Sequence, residues 1–258
     1  MYLVKSCFKG DNVIKRKTLK IGSLTEYRDT ELTQIADKEE GTIKIQYNLK
    51  DLHIDDRLWN IINIQIHSLN NININELTVL NRSPILPNHT FVERLSGEFF
   101  LKYLNRFTFC MSILTSPEQS VGIFKDYDDY WHIKSCHIDL FAGAISNELI
   151  KAIKSRISRG EQLFRETPNI NYLSVKWSVG NVQYEDRAIA IDNHYINTKR
   201  EHVINVINKA HFIKSKQFQP EQEVRFVFDI YEGKRLLHPL DKFIIINADT
   251  LMPLIKNH

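Results

Sequence analysis

The chain has 258 residues, enough for one large domain or two small ones around a substantial core. With 43% apolar and 25% charged residues its composition is that of an ordinary globular protein, and a formal charge of +3 is too small to argue for a nucleic-acid surface by itself. Three cysteines, Cys7, Cys110 and Cys136, include no C-x-x-C pair and exclude a disulfide framework or a zinc ribbon.

No window has the apolar length of a membrane span, and the opening Met1 to Phe8 is too short and too soon interrupted by charge for a signal peptide. A cytoplasmic location with no membrane partner is expected. Tyr2 to Cys7 reads as a short buried strand. Asp11 is placed to cap a short helix through about Thr18, with Lys15, Arg16, Lys17 and Lys20 on a solvated basic face. Leu19 to Leu24 returns as a strand, followed by Thr25-Glu26-Tyr27-Arg28-Asp29. The acidic run Asp37-Lys38-Glu39-Glu40-Gly41 lacks the Asp/Asn repeat of a calcium loop and reads as a turn before the strand Thr42 to Tyr47.

Further on, Ile62, Ile64 and Ile66 alternate with polar residues, and Ile72 and Ile74 do so after Ser68-Leu69-Asn70-Asn71, which predicts a hairpin. Phe91 to Leu104 has mixed periodicity and reads as helical. Phe107, Phe109, Met111 and Ile113 give a period-two strand whose other face shows Thr108, Cys110 and Ser112. Val121 to Tyr130 reads as a short aromatic helix, Trp131 to Ile138 as a strand, and Ser146 to Gly160 as the clearest helix. Val175 to Tyr184 is a strand region broken at Gly180, and a last helix runs from about Lys199 to Ala210.

The stretch Phe218 to Ile230 organises the rest. A Gln-Pro turn leads into a strand with Val224, Phe226, Phe228 and Ile230 on one face and Glu221, Glu223, Arg225 and Val227 on the other. Phe243 to Ile246 is the final strand. The elements show no βαβ rhythm, phosphate-binding glycine loop or internal repeat, and no composition shift divides them. The expectation is a single α+β domain over residues 1–258, a mostly antiparallel sheet with packed helices.

The order of blocks resembles a family of uncharacterised, mostly bacterial proteins that share a domain of unknown function. The blocks are Tyr2 with Lys5, Leu19 to Arg28, Asp37 to Gly41, Phe109-Cys110-Met111-Ser112, Tyr127 to Trp131, and Lys214 through Arg225. Members of that family look like components of phage-defence or toxin loci. Glu221-Gln222-Glu223 also resembles the Glu-x-Glu signature of ADP-ribosyltransferases, which bind NAD in a cleft of a mostly antiparallel sheet.

That second resemblance implies NAD as cofactor, Glu223 as the carboxylate facing an oxocarbenium-like transition state, and Glu221 on the acceptor side. Lys5, Tyr27, Arg28, Ser112 and Arg225 are the implied cofactor-binding residues. A protein or nucleic acid would be the acceptor, and the chain would be a toxin or defence effector. Two other readings stay open. One is a metal-dependent nuclease using Asp37, Glu39, Glu221 and Glu223 with Lys214 at a phosphate. The other is a non-catalytic sensor or interaction module of a defence system, in which the same residues form a buried network. No metal is expected on the transferase reading. The histidines, among them His132, His137, His194, His202 and His211, lack the spacing of a zinc motif and read as structural or surface groups.

Overall fold

A computed structural model describes residues 1–31, 36–68, 72–80, 82–102 and 104–257. It is an α+β structure whose sheets are mostly antiparallel, with helices packed on them. Contacts divide the chain into two compact units, Met1–Glu40 with Leu104–Val182 and Gln217–His258, and Gly41–Tyr103 with Gln183–Lys216.

The first unit is built on a sheet of nine strands. Strand Glu223–Glu232 lies inside it, with Phe107–Leu114 and Arg235–Leu237 on one edge and Leu173–Asn181 on the other, all antiparallel. Its even-numbered residues from Val224 to Ile230 enter the core with Phe109, Met111, Leu3 and Trp131. Helix Ile138–Ser158 covers this face with Phe141, Ala142, Ile145, Leu149 and Ile153, a stripe at helical spacing. Burying a large apolar side chain of this kind contributes roughly 1.5–3 kcal/mol. Gly160, at φ +85°, supplies the left-handed residue that ends the helix.

Strand Phe107–Leu114 has a divided second edge. The first strand, Tyr2–Cys7, pairs with it from Tyr2↔Leu114 to Val4↔Ser112, whereas Thr18–Ser23 pairs at Gly22↔Thr108 and Ser23↔Phe107. The two ladders stop at Ser112 and Thr108, so Phe109, Cys110 and Met111 run between them.

The second unit has a four-stranded sheet in the order Ala188–Asp192, Thr42–Asp55, His89–Lys102, Ile72–Leu80. Only its first pair is parallel. Helices Asp56–Ser68 and Arg200–Lys209 bury Leu58, Trp59, Ile62, Val203, Val206 and Ile207 with Ile43, Ile45, Leu95 and Phe99 from the strands.

Several expectations need correction. Residues 61–68 are helical and form no hairpin with Ile72–Leu80: Leu58, Trp59 and Ile62 are buried at i, i+1, i+4, and the Asp55 carboxylate accepts from the Leu58 N–H to start the helix. The turn placed at Leu69-Asn70-Asn71 falls outside the described residues. Of Phe91–Leu104, read as helical, residues 91–102 lie in strand His89–Lys102, and Tyr103 falls outside the described residues. The mixed periodicity has a cause: Asp51, at φ 49°, interrupts strand Thr42–Asp55 where Lys50 faces Arg94 and Leu52 faces Val92. Buried positions change parity there, from Ile43, Ile45, Tyr47 and Leu49 to Leu52 and Ile54, and from Val92 to Leu95 on the partner.

Val121–Tyr130 is not a helix. Pro117–Ser120 forms a 3-10 turn with a Ser116/Gln119 capping box, turns follow, and strand Asp129–Lys134 begins. The long helix starts at Ile138, so Ser146 lies within it and does not cap it. Asn12, not Asp11, caps the short helix Val13–Arg16. Glu221 belongs to the 3-10 segment Lys216–Glu221, and Gln222, at φ 45°, separates it from the strand. It therefore leaves the row formed by Glu223, Arg225 and Val227.

Candidate functional site

Alternation along Glu223–Glu232 places Glu223, Arg225 and Val227 on the sheet face opposite the aromatic core. Register fixes their neighbours: Glu223 stands opposite Ser112, Arg225 opposite Cys110 and Val227 opposite Thr108. This second face is also covered. Glu223 is 4% exposed, Arg225 1%, Ser112 3% and Thr108 0%, and the Thr108 hydroxyl has no hydrogen-bond partner.

Helix Leu24–Asp29 lies over this row, started by Ser23, whose hydroxyl accepts from the Glu26 N–H. It carries Tyr27 and Arg28. The following turn is fastened to the helix backbone: the Asp37 N–H donates to the Tyr27 carbonyl at 3.0 Å, and the Glu40 N–H to the Asp37 carbonyl at 2.9 Å. Arg28 Nε donates to the Glu40 carbonyl at 2.6 Å. The Glu40 side chain, 1% exposed, is thereby brought to the sheet.

There it meets Arg225. Arg225 Nη1 and Nη2 donate to Glu40 Oε1 and Oε2 at 2.6 and 3.2 Å, and Nε donates to Glu223 Oε1 at 2.7 Å. Burial works against the guanidinium charge, but Glu223 and Glu40 outweigh it and hold Arg225 well above its ordinary value. Arg225 thus bridges two buried carboxylates, Glu40 and Glu223.

The Cys110 thiol is pushed up to about 12, first by burial and then by the Glu223 charge, with Arg225 and Lys5 pulling the other way. It is a thiol at neutral pH and a poor nucleophile. The Tyr27 phenol lies against Cys110 and is raised well above its ordinary value by burial, then by Cys110, Glu223 and Glu26. Lys5 has the strand parity of Leu3 and Cys7, but beyond Val4 its ammonium reaches into the divided edge. It donates to the Cys110 carbonyl at 3.0 Å and lies 5.1 Å from the Phe109 ring centre.

The structure thus brings together Lys5, Tyr27, Ser112, Glu223 and Arg225, with Arg28 one step away through Glu40. Arg225, one of the residues implied for cofactor binding, directs donors to the Glu40 and Glu223 carboxylates. Glu221, 8% exposed, lies in the 3-10 segment Lys216–Glu221 before the strand. Two members of the cluster were not singled out from the sequence as site residues, Glu40 and Cys110. Glu40 lay in an acidic run read as a turn, and 185 residues separate it from its partner. Among the described residues, no group of three or more His, Cys, Asp or Glu side chains is placed to hold a metal ion.

The second unit holds a separate relay. The Tyr195 hydroxyl meets His202 Nδ1 at 2.6 Å, and His202 Nε2 meets Glu185 Oε2 at 2.8 Å. His202 is therefore a member of a three-residue chain rather than a lone surface group. Comparisons with protein-family models, with curated proteins and with solved structures found no match to this chain.

Proposed function

We propose that the protein is an NAD-consuming, ADP-ribosyltransferase-like enzyme with Glu223 as its catalytic carboxylate. One observation carries the reading. The three positions implied by the resemblance, Lys5, Ser112 and Glu223, lie on three neighbouring strands, with Ser112 directly opposite both Val4 and Glu223. Departure of nicotinamide leaves positive charge on the ribose, and a preorganised carboxylate in a water-poor setting stabilises it by several kcal/mol. A carboxylate at Glu223 has the sign this step requires, and its bond to Arg225 holds it in place.

Tyr27 would line the cofactor site, and Lys5 and Arg28 would meet the pyrophosphate. NAD would supply the ADP-ribosyl group, with a protein or nucleic acid as acceptor and Glu221 on the acceptor side. A role as toxin or phage-defence effector rests on the family resemblance alone.

A second reading has its own observation. Glu223 is closed off and bonded to Arg225, which suits a structural network in a non-catalytic interaction module. The nuclease reading called on Asp37, Glu39, Glu221 and Glu223, and of these Glu223 is bonded to the Arg225 guanidinium.

The test is incubation with NAD, following nicotinamide release, beside magnesium or manganese with nucleic acid. Wild type should release nicotinamide, and Glu223→Gln should lose on the order of 100-fold or more in rate. Undiminished release by Glu223→Gln removes Glu223 from catalysis. No turnover by the wild type in either assay favours the interaction module.

A further inference from the structure

We infer that Glu40 is a positioning residue for Glu223, acting through Arg225; the inference rests on the transferase reading of Glu223. A guanidinium offers a planar fork suited to one carboxylate, and Arg225 has a carboxylate two residues away on its own strand. Its two terminal nitrogens reach Glu40, at 2.6 and 3.2 Å, and its Nε reaches Glu223 Oε1 at 2.7 Å. What fixes this choice is the backbone on which Glu40 sits. Its N–H is bound to the Asp37 carbonyl, its carbonyl is held by Arg28, and Asp37 is tied to the carbonyl of Tyr27.

The turn therefore fixes the plane of the guanidinium, and that plane fixes how much of Arg225 bears on Glu223. With the Glu40 charge removed, the guanidinium loses that anchor and turns further toward Glu223, the group on which the chemistry depends. Glu40 contacts neither the reacting ribose nor Glu223 in this scheme. Its effect is on orientation and local charge.

The experiment combines kinetics with a measurement that needs no activity. In Glu40→Gln, kcat for NAD cleavage should fall on the order of 10- to 100-fold with KM little changed. Glu40→Asp, which keeps the charge, should recover part of the loss. In parallel, carbon-13 NMR of labelled Glu223, assigned by its disappearance in Glu223→Gln, follows protonation of that carboxylate. Its titration midpoint should move to lower pH in Glu40→Gln, because a negative neighbour is gone and Arg225 has turned toward it. An unchanged midpoint overturns the inference whatever the kinetics show. If the wild type cleaves no NAD, the transferase reading fails, while the titration still decides whether Glu40 governs Glu223. Should Glu40→Gln not fold, Glu40→Asp carries the same titration: a smaller downward shift supports the inference and no shift overturns it.

Discussion

Arg225 binds Glu40 with two nitrogens and Glu223 with one, and all three side chains are at most 4% exposed. The triad joins the last residue of the first chain segment of its unit to the strand that crosses the sheet. Removing one partner of such a network leaves buried charge that has lost a counter-ion.

Arg225→Met should therefore destabilise the first unit by about 3–5 kcal/mol, because two carboxylates lose their common cation. Arg225→Lys retains a charge but not the fork, and should recover only part of this. Urea denaturation monitored by tryptophan fluorescence gives both values. A loss below about 1 kcal/mol for Arg225→Met would show that the network contributes little.

Thr108 offers a test in the opposite direction. Its hydroxyl is buried with no partner, a condition that costs about 1–3 kcal/mol. Thr108→Val keeps the shape and should raise stability by roughly 1 kcal/mol. Paired with the NAD assay, the same variant asks whether this row is kept polar for a ligand, in which case stability rises and turnover falls.

Alkaline pH should weaken the fold. Burial pushes the Cys7 and Cys110 thiols from 9.0 up to about 12, and Tyr27 is raised as well. These groups ionise earlier in the unfolded chain, so the stability they contribute is complete below about pH 9 and is lost as pH rises toward 12. Denaturation midpoints at increasing pH should fall, and Cys110→Ala should flatten the decline. Alkylation of the native protein near pH 8 should label exposed Cys136 well before Cys110.

In the second unit, Asp55 binds Arg200 through two hydrogen bonds, at 2.8 and 2.7 Å, and also caps helix Asp56–Ser68. Burial raises its carboxyl, but the Arg200 bonds and the Leu58 N–H prevail and hold it below its ordinary 3.8. The stability it adds is present above that value and lost as pH falls through the lowered one. Asp55→Asn keeps a capping oxygen and should cost only about 0.5–1 kcal/mol, as expected for a pair that is partly exposed. Asp55→Ala loses the cap too and should cost about 1 kcal/mol more. Equal losses in the two variants would remove the capping contribution.

Much of the sheet was legible because period two is a direct record of one buried face. Val224, Phe226, Phe228 and Ile230 announced their strand, and Thr108, Cys110 and Ser112 announced the polar side of its neighbour. Reading failed where the period was ambiguous or interrupted. Isoleucines at 62, 64 and 66 suit a strand or a helix, and the Asp55 cap that decides the matter lies outside the run. Asp51 shifts the phase of two paired strands at once, so His89–Lys102 matched no single template.

The site was legible in part for a related reason. Glu223 and Arg225 share a strand and are visible as a local pattern. Glu40 is joined to them only by tertiary folding, and its acidic neighbours made it resemble solvated loop. Glu221 was placed in the row because the strand was started too early; the left-handed Gln222 breaks the alternation before it.

The divided edge of Phe107–Leu114 has a consequence for how the chain is made. The first strand finds its sheet neighbours only in Phe107–Leu114 and Asp129–Lys134, and the strand bearing Glu223 arrives another ninety or so residues later. During synthesis the hydrophobic residues Leu3, Val4 and Cys7 must wait without a ladder while the whole of Gly41–Tyr103 emerges. That intervening segment is therefore made while the apolar face of its predecessor is still uncovered, and the sheet is closed when the C-terminal third has been made.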